Sequence, residues 1–252
     1  MKKRLLCALL LAVMLLSCFV GCGKKLNVDL NGGSLSGTAK DLETLVSMTP
    51  TKEGYEFAGW YADAAYTTYL TANSLTKDQK KAGVAYAKFI KVEEVTYDVR
   101  ASQVTVTDAG TADNPMDTVY LSDHYNLTDL KRAGYSTLEV VITMQVAEKD
   151  DGYQHILLYK NQSVVREDKS VIGWLDKTLF GENENDDPSR LFSYAYEHGP
   201  DVLNTSWEEL TVTTRVKLSD LESDLFLRYD ASGSGADTWY NKDVTVKIIP
   251  KK

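Results

Sequence analysis

Few residues in this chain have the types and spacing that chemistry needs. Three histidines, His124, His155 and His198, lie far apart with no HxxxH-type spacing between them. His155 alternates with Tyr153 and Leu157, the pattern of a residue packed on a sheet rather than of a metal ligand. There is no GxSxG elbow for a nucleophile, no phosphate-cradling P-loop and no GxGxxG turn. Carboxylates are plentiful, and a glycosidase needs two of them roughly 5–10 Å apart across a cleft. The adjacent pairs Glu208-Glu209 and Asp186-Asp187 do not supply that geometry, because neighbours on a strand point to opposite faces. The chain therefore reads as non-enzymatic. No cofactor is expected. Structural calcium stays open at two oxygen-rich loops, Gly181 to Pro188 and Asp230 to Asp237, although neither has EF-hand spacing and a solvated loop is the plainer reading.

Aromatic residues remain. Tyr194, Tyr196, Trp207 and Trp239, together with Trp174, fall at or near expected strand ends and loops. An aromatic face stacks on sugar C–H groups while nearby polar side chains read the hydroxyls, so these residues are the candidates for ligand binding. Tyr194 and Tyr196 share a face if their segment is extended. The competing assignment, that Trp174 and Trp207 plug a core, stays open.

The elements that must position these aromatics lie between Glu93 and Lys252. Leu138, Val140, Ile142, Met144 and Val146 alternate with Glu139, Thr143 and Gln145. Leu210, Val212, Thr214, Val216 and Leu218 alternate with Thr211, Thr213, Arg215 and Lys217. Tyr153 to Tyr159, Leu225 to Tyr229 and Val244 to Ile249 also read as strands, separated by turn signals such as Asp150-Asp151-Gly152. Leu127 to Ala133 is a short helix capped by Asn126 or Thr128. Strands of period two with no βαβ rhythm imply an antiparallel sandwich over residues 93–252. Its closing stretch resembles the end of jelly-roll domains of the galactose-binding or carbohydrate-binding type, where a last strand returns beside the first.

Ahead of it, Leu26 to Leu30 alternates as a strand and Asn31-Gly32-Gly33 is a turn. Asp29 to Gly33, then Pro50 to Tyr55, Phe57 to Tyr61 and Tyr86-Ala87-Lys88 resemble, in order and spacing, the Listeria–Bacteroides repeat of bacterial surface proteins. The resemblance covers residues 26–91, in a single copy, and implies a small β-grasp-like module that serves as spacer or adhesion unit without catalytic residues. Tyr55 and Phe57 are expected on one face. Trp60 and Tyr61 are expected in the module's core rather than as a sugar-stacking pair. The departures are Phe89, where Trp is usual, and a charged insert at Thr76 to Lys81. The whole is thus read as mainly β: a small repeat followed by a larger sandwich.

The N-terminus sets the compartment. Lys2, Lys3 and Arg4 precede an apolar run from Leu5 to Leu16, the layout of an export signal. That run falls short of the ~20 residues a spanning helix needs. Phe19-Val20-Gly21-Cys22 resembles the lipobox of bacterial lipoproteins, which implies a signal segment 1–22 cut just before Cys22 and acylation of Cys22 as the mature N-terminus. Leu15-Leu16-Ser17-Cys18 is the competing register, and Gly21 with the polar tether Gly23-Lys24-Lys25 favours Cys22. All three cysteines lie within these 22 residues, so the exported part relies on its core and not on disulfides. Cleavage removes three basic residues and no acid, taking the net charge from −8 to −11. That balance argues against nucleic acid and anionic lipid as partners. The expected protein is lipid-anchored, extracytoplasmic, and a binder of carbohydrate or another surface polymer. A structural or adhesive role with a protein partner is the alternative.

Overall fold

The structure, a computed structural model, describes residues 26–101, 103–107, 117–148, 153–160, 190–197, 207–232 and 238–252. The side chains of 105–107, 148, 153–155, 190, 192–197, 230–232 and 238–239 are not among them. The fold is mainly β and divides into two compact units, Met1–Ile90 and Lys91–Lys252.

In the first unit, β1 (Asn27–Asp29) pairs in parallel with β4 (Val84–Ile90). Antiparallel to β4 runs β2 (Glu56–Tyr61), and β3 (Tyr69–Leu70) closes the order β1-β4-β2-β3. Two short helices complete it. Helix α1 (Leu42–Val46) starts where the Asp41 carboxylate accepts from the Thr44 N–H at 2.8 Å. The charged insert forms α2 (Lys77–Ala82), opened by a capping box in which Thr76 and Gln79 satisfy each other's backbone N–H. Helices this short do not persist alone, so these caps and the burial of Leu42 and Leu45 hold them.

Ala58 is an extra residue in β2: Phe57 pairs with Phe89 while Gly59 pairs with Lys88. The resulting bulge puts Phe57 and Trp60, three apart, on the core face, where their rings meet edge-on at 5.5 Å. Tyr55 does not join them. It is exposed, with the Lys52 ammonium 4.5 Å from its ring centre. Trp60 and Tyr61 are both buried, on opposite faces. Trp60 packs on Leu42, Leu45 and Leu70 and donates to the Met48 carbonyl at 2.9 Å, while Tyr61 lies against Tyr66 and Tyr69. Gly59, at φ 117°, is required here, because a Cβ would run into the Tyr69 ring.

The second unit is a sandwich of two antiparallel sheets. One has the order β11 (Glu208–Lys217), β8 (Thr137–Glu148), β13 (Thr238–Lys251), β5 (Val95–Arg100), with β6 (Val104–Thr107) also on β13. The other runs β10 (Arg190–Glu197), β9 (Tyr153–Tyr159), β12 (Leu225–Ser232), β7 (Asp117–Val119). The last strand, β13, lies beside the first, β5. Helix α3 (Leu127–Arg132) begins at Asn126, whose side chain accepts from the Asp129 N–H. The alternation seen in the sequence holds on β8 and β11: Leu138, Val140, Ile142, Met144 and Val146 are buried, as are Leu210, Val212 and Val216. Burying such side chains contributes about 1.5–3 kcal/mol each. In β9, consecutive residues Ile156 to Tyr159 are all buried, the mark of a strand covered on both faces.

Candidate functional site

Two places in the sandwich gather polar chemistry, and two bulges separate them. On β5, Val99 is an extra residue: Arg100 pairs with Val244 and Asp98 with Thr245. On β13, Asp243 and Val244 together oppose the single residue Met144, since Lys242 pairs with Gln145 and Thr245 with Thr143. Asp243 takes φ 51°, a left-handed conformation that Asp tolerates better than most residues. Each bulge reverses the in-out alternation behind it. Arg100 and Asn241 consequently turn into the core, where a strict period of two would aim them outward.

There they meet the opposite sheet. Arg100 Nε donates to Asp117 Oδ2 at 2.8 Å, and Nη2 stands 2.7 Å from the same oxygen as an ion pair without hydrogen-bond alignment. Arg100 Nη1 donates to Asn241 Oδ1 at 3.1 Å, and the guanidinium carbon lies 4.5 Å from the Tyr229 ring centre. All four residues are at most 5% exposed. Burial, with the Asp117 charge adding to it, holds Tyr229 ionisation well above the usual tyrosine range. Its hydroxyl and Asn241 Nδ2 have no hydrogen-bond partner among the described residues. This group joins β5 and β13 to β7 and β12. The cluster, at most 5% exposed, ties the two sheets together.

The outward face of the β11-β8-β13-β5 sheet is the accessible one. Register assigns its rows. Lys217, Thr137 and Lys251 stand side by side at one end, followed by Arg215, Glu139 and Ile249. Thr213, Val141, Lys247 and Thr96 form the next row, then Thr211, Thr143, Thr245 and Asp98. Glu209, Gln145 and Lys242 follow, and Trp207 precedes β11 at the far end, near the Ala147–Tyr240 pair. At about 3.4 Å per residue from Thr137 to Ala147, the strip is roughly 34 Å long.

Its electrostatics are graded. At the first end, Lys251 Nζ lies 3.1 Å from Glu139 Oε1 and Arg215 Nη2 lies 3.4 Å from Glu139 Oε2, so two cations share one carboxylate. The Lys251 hydrogen bond, with help from Arg215, holds the Glu139 carboxyl below its ordinary range. Lys247 pairs with Glu94 at 2.8 Å. Exposed Lys217 has no ion-pair partner among the described residues. The middle is a threonine band, with Thr143 and Thr211 hydroxyls 3.2 Å apart. At the other end the Lys242 ammonium lies 4.2 Å from the half-buried Trp207 ring.

Of the aromatics singled out in the sequence, Trp207 therefore belongs to this strip. The backbone of Trp239 is in β13, opposite Glu148 and Val106, near the same end. Tyr194 and Tyr196 are in β10, opposite Ile156 and Gln154, on the other sheet. The backbone thus brings Trp207 and Trp239 near one another and separates them from the tyrosines. The side chains of Tyr194, Tyr196, Trp239 and His155 lie outside the described residues, as do Cys18, Cys22, Trp174, His198, the Gly181 to Pro188 loop and residues 233–237. His124 is exposed, with its ring edge-on to Tyr97 at 5.5 Å. Among the described residues no three His, Cys, Asp or Glu side chains are grouped to hold a metal ion, and no helix is long and apolar enough to cross a membrane. The cationic rows were missed in the sequence because Lys217 and Arg215 lie about thirty residues before Lys247 and Lys251 along the chain and meet them only through register.

Comparison with known proteins places the first unit. Residues 26–88 match the family described as the Listeria-Bacteroides repeat domain, about a quarter of the chain. This repeat is typical of extracellular or surface proteins. None of the curated proteins matches the chain. Similar solved structures include an Eiger TNF from S. frugiperda, at 9% identity and a TM-score of 0.34, covering 63% of this chain and 92% of that one. They also include the infectious bursal disease virus Gt strain, at 12% identity and a TM-score of 0.33, covering 92% of this chain and 53% of that one.

Proposed function

We propose that this chain is a lipid-anchored bacterial surface protein whose sandwich is a non-catalytic binding module for a glycan or another surface polymer. The observation that carries the binding role is the open strip on the β11-β8-β13-β5 sheet. It combines an aromatic end at Trp207, a band of hydroxyls and a charged end on one face long enough for an extended chain. Sugar recognition needs such an aromatic surface with polar groups placed around it. The strand orders β11-β8-β13-β5 and β10-β9-β12-β7, with most consecutive strands from β6 on stepping between sheets, support reading the sandwich as a jelly roll. Catalysis is not part of the proposal. The buried charges are sealed, and the strip's Glu139 is already held by two cations.

The surface location is supported by the export-type N-terminus, its lipobox-like end at Cys22 and the start of a surface-type repeat four residues later. Several acyl chains on one cysteine hold a protein to a membrane where a single chain is marginal. Labelled palmitate should enter the native protein and the Cys18→Ser variant, and be absent from Cys22→Ser. Label retained by Cys22→Ser and lost from Cys18→Ser would move the anchor to the other register. A binding screen of residues 23–252 against soluble polysaccharides should return at least one binder that Trp207→Ala weakens. Silence on the polymers, with a single surface protein retained, would favour the adhesive alternative.

A further inference from the structure

We infer that the polymer is a polyanionic glycan, bound with its acid groups along the Lys217, Lys251, Arg215 and Lys247 end of the strip. This rests on the binding role proposed above and names its ligand class. The whole chain is acidic, at −8, so a random sample of its surface should carry more acids than bases. The first three rows of the strip do the opposite. Their cations are Lys217, Lys251, Arg215 and Lys247, while the acids paired with them are Glu139 and Glu94. Lys251 and Lys247 neutralise those two acids at 3.1 and 2.8 Å. That leaves Lys217 unmatched and Arg215 held only by a loose 3.4 Å contact, with 71% of its side chain exposed.

These charges are held in place as well as concentrated. Lys217 and Lys251 flank Thr137 in one row, and Arg215 and Lys247 follow in the next two, on three hydrogen-bonded strands. Adjacent strands are about 4.8 Å apart and successive outward residues about 7 Å apart, a fixed grid of positive charge. A chain molecule with acid groups at regular intervals can meet several points of such a grid at once. Rows of threonine hydroxyls continue the surface toward Trp207 and supply donors and acceptors for the neutral parts of sugar rings. The net charge of the chain outside this end is negative, which disfavours polyanions there on average. Glu139 competes with the ligand for Lys251 and Arg215, so removing its charge strengthens binding.

The test uses residues 23–252 with polygalacturonate and its fully methyl-esterified form, the same backbone with and without charge. Polygalacturonate should bind, and its affinity should fall roughly tenfold or more between about 50 and 200 mM salt. The ester should bind at least about tenfold more weakly. The double variant K217Q/K251Q should lose about tenfold for the acid polymer with its melting temperature unchanged, and E139Q should gain about threefold. Equal, salt-insensitive binding of acid and ester overturns the inference and leaves the binding role standing. Unchanged affinity in K217Q/K251Q overturns the site. Single-stranded DNA binding as tightly as polygalacturonate overturns the glycan as occupant. No binding to either form, with none to a panel of neutral polysaccharides, removes the binding role as well.

Discussion

On the inner face of the five-stranded sheet, Leu138, Val140, Ile142, Met144 and Val146 are at most 1% exposed. Their immediate neighbours Glu139, Val141, Thr143 and Gln145, on the outer face of the same strand, are all partly exposed. Both faces carry charge, in opposite circumstances. Arg100 is locked to Asp117, Asn241 and Tyr229 away from water, whereas Lys217, Arg215, Lys247 and Lys251 sit on an exposed grid. A charge pair inside has lost its hydration and is held by geometry; removing one member strands the other. A charge pair outside is screened and worth little to folding. The same residue type therefore acts on stability on one side of the sheet and on recognition on the other.

The largest effect that separates the faces should come from Arg100→Met. It leaves the buried Asp117 carboxylate without its guanidinium, and should cost about 3–5 kcal/mol in urea unfolding of the second unit. Arg100→Met combined with Asp117→Leu should recover most of that loss. A cost under about 1 kcal/mol for the single variant would mean that the pair is not sealed. Ile142→Ala on the inner face should cost about 2–4 kcal/mol, while Thr143→Ala one residue along should stay within about 0.5 kcal/mol. Comparable losses at both positions would erase the contrast between faces.

The bulge on β13 gives a smaller and more local test. Asp243→Gly should be tolerated, because glycine adopts the positive φ freely, whereas Asp243→Val should lose about 1–2 kcal/mol by forcing a β-branched residue to φ 51°. The smallest effect is a pH dependence. Burial, with Asp123 and Asp224 nearby, pushes the Tyr97 hydroxyl from 10.0 up to about 12. A raised folded value means that its contribution to stability is whole below pH 10 and drains away as pH rises from there toward 12. Burial moves Tyr125 the same way. Melting temperature should decline over that range, and less steeply in Tyr97→Phe. An identical slope in the two proteins would rule Tyr97 out as a contributor.

Much of this fold could be read ahead of the structure, for definable reasons. The inward sets on β8 and β11 follow a strict period of two, and the repeat's Asn31-Gly32-Gly33 turn and Gly59-Trp60-Tyr61 strand are local signals. Of the two cap candidates for α3, Asn126 and Thr128, Asn126 is the one that caps it. The charged stretch after Thr76 looked like an insertion, yet Thr76 and Gln79 have the spacing of a capping box, and that signal was passed over. Arg100 and Asn241 were hidden by the bulges. In Val95 to Arg100 the extra residue, Val99, is itself apolar, so counting by twos places it inside and Arg100 outside. Counting back from Ile248, Val246 and Val244 likewise puts Lys242 inside and Asn241 outside until Asp243 is recognised as extra. The cationic end was hidden by averaging. A chain charge of −8 argues against any basic footprint, and only strand register reveals that Lys217 and Arg215 stand in the rows next to Lys251 and Lys247.

Lysine acetylation, read by mass spectrometry with and without polygalacturonate, shows whether the polymer covers the cationic end of the sheet. Lys217, Lys247 and Lys251 should be protected, with no change at the exposed repeat lysines Lys40, Lys77 and Lys81. Protection confined to the repeat, or spread evenly over all six, would contradict that placement.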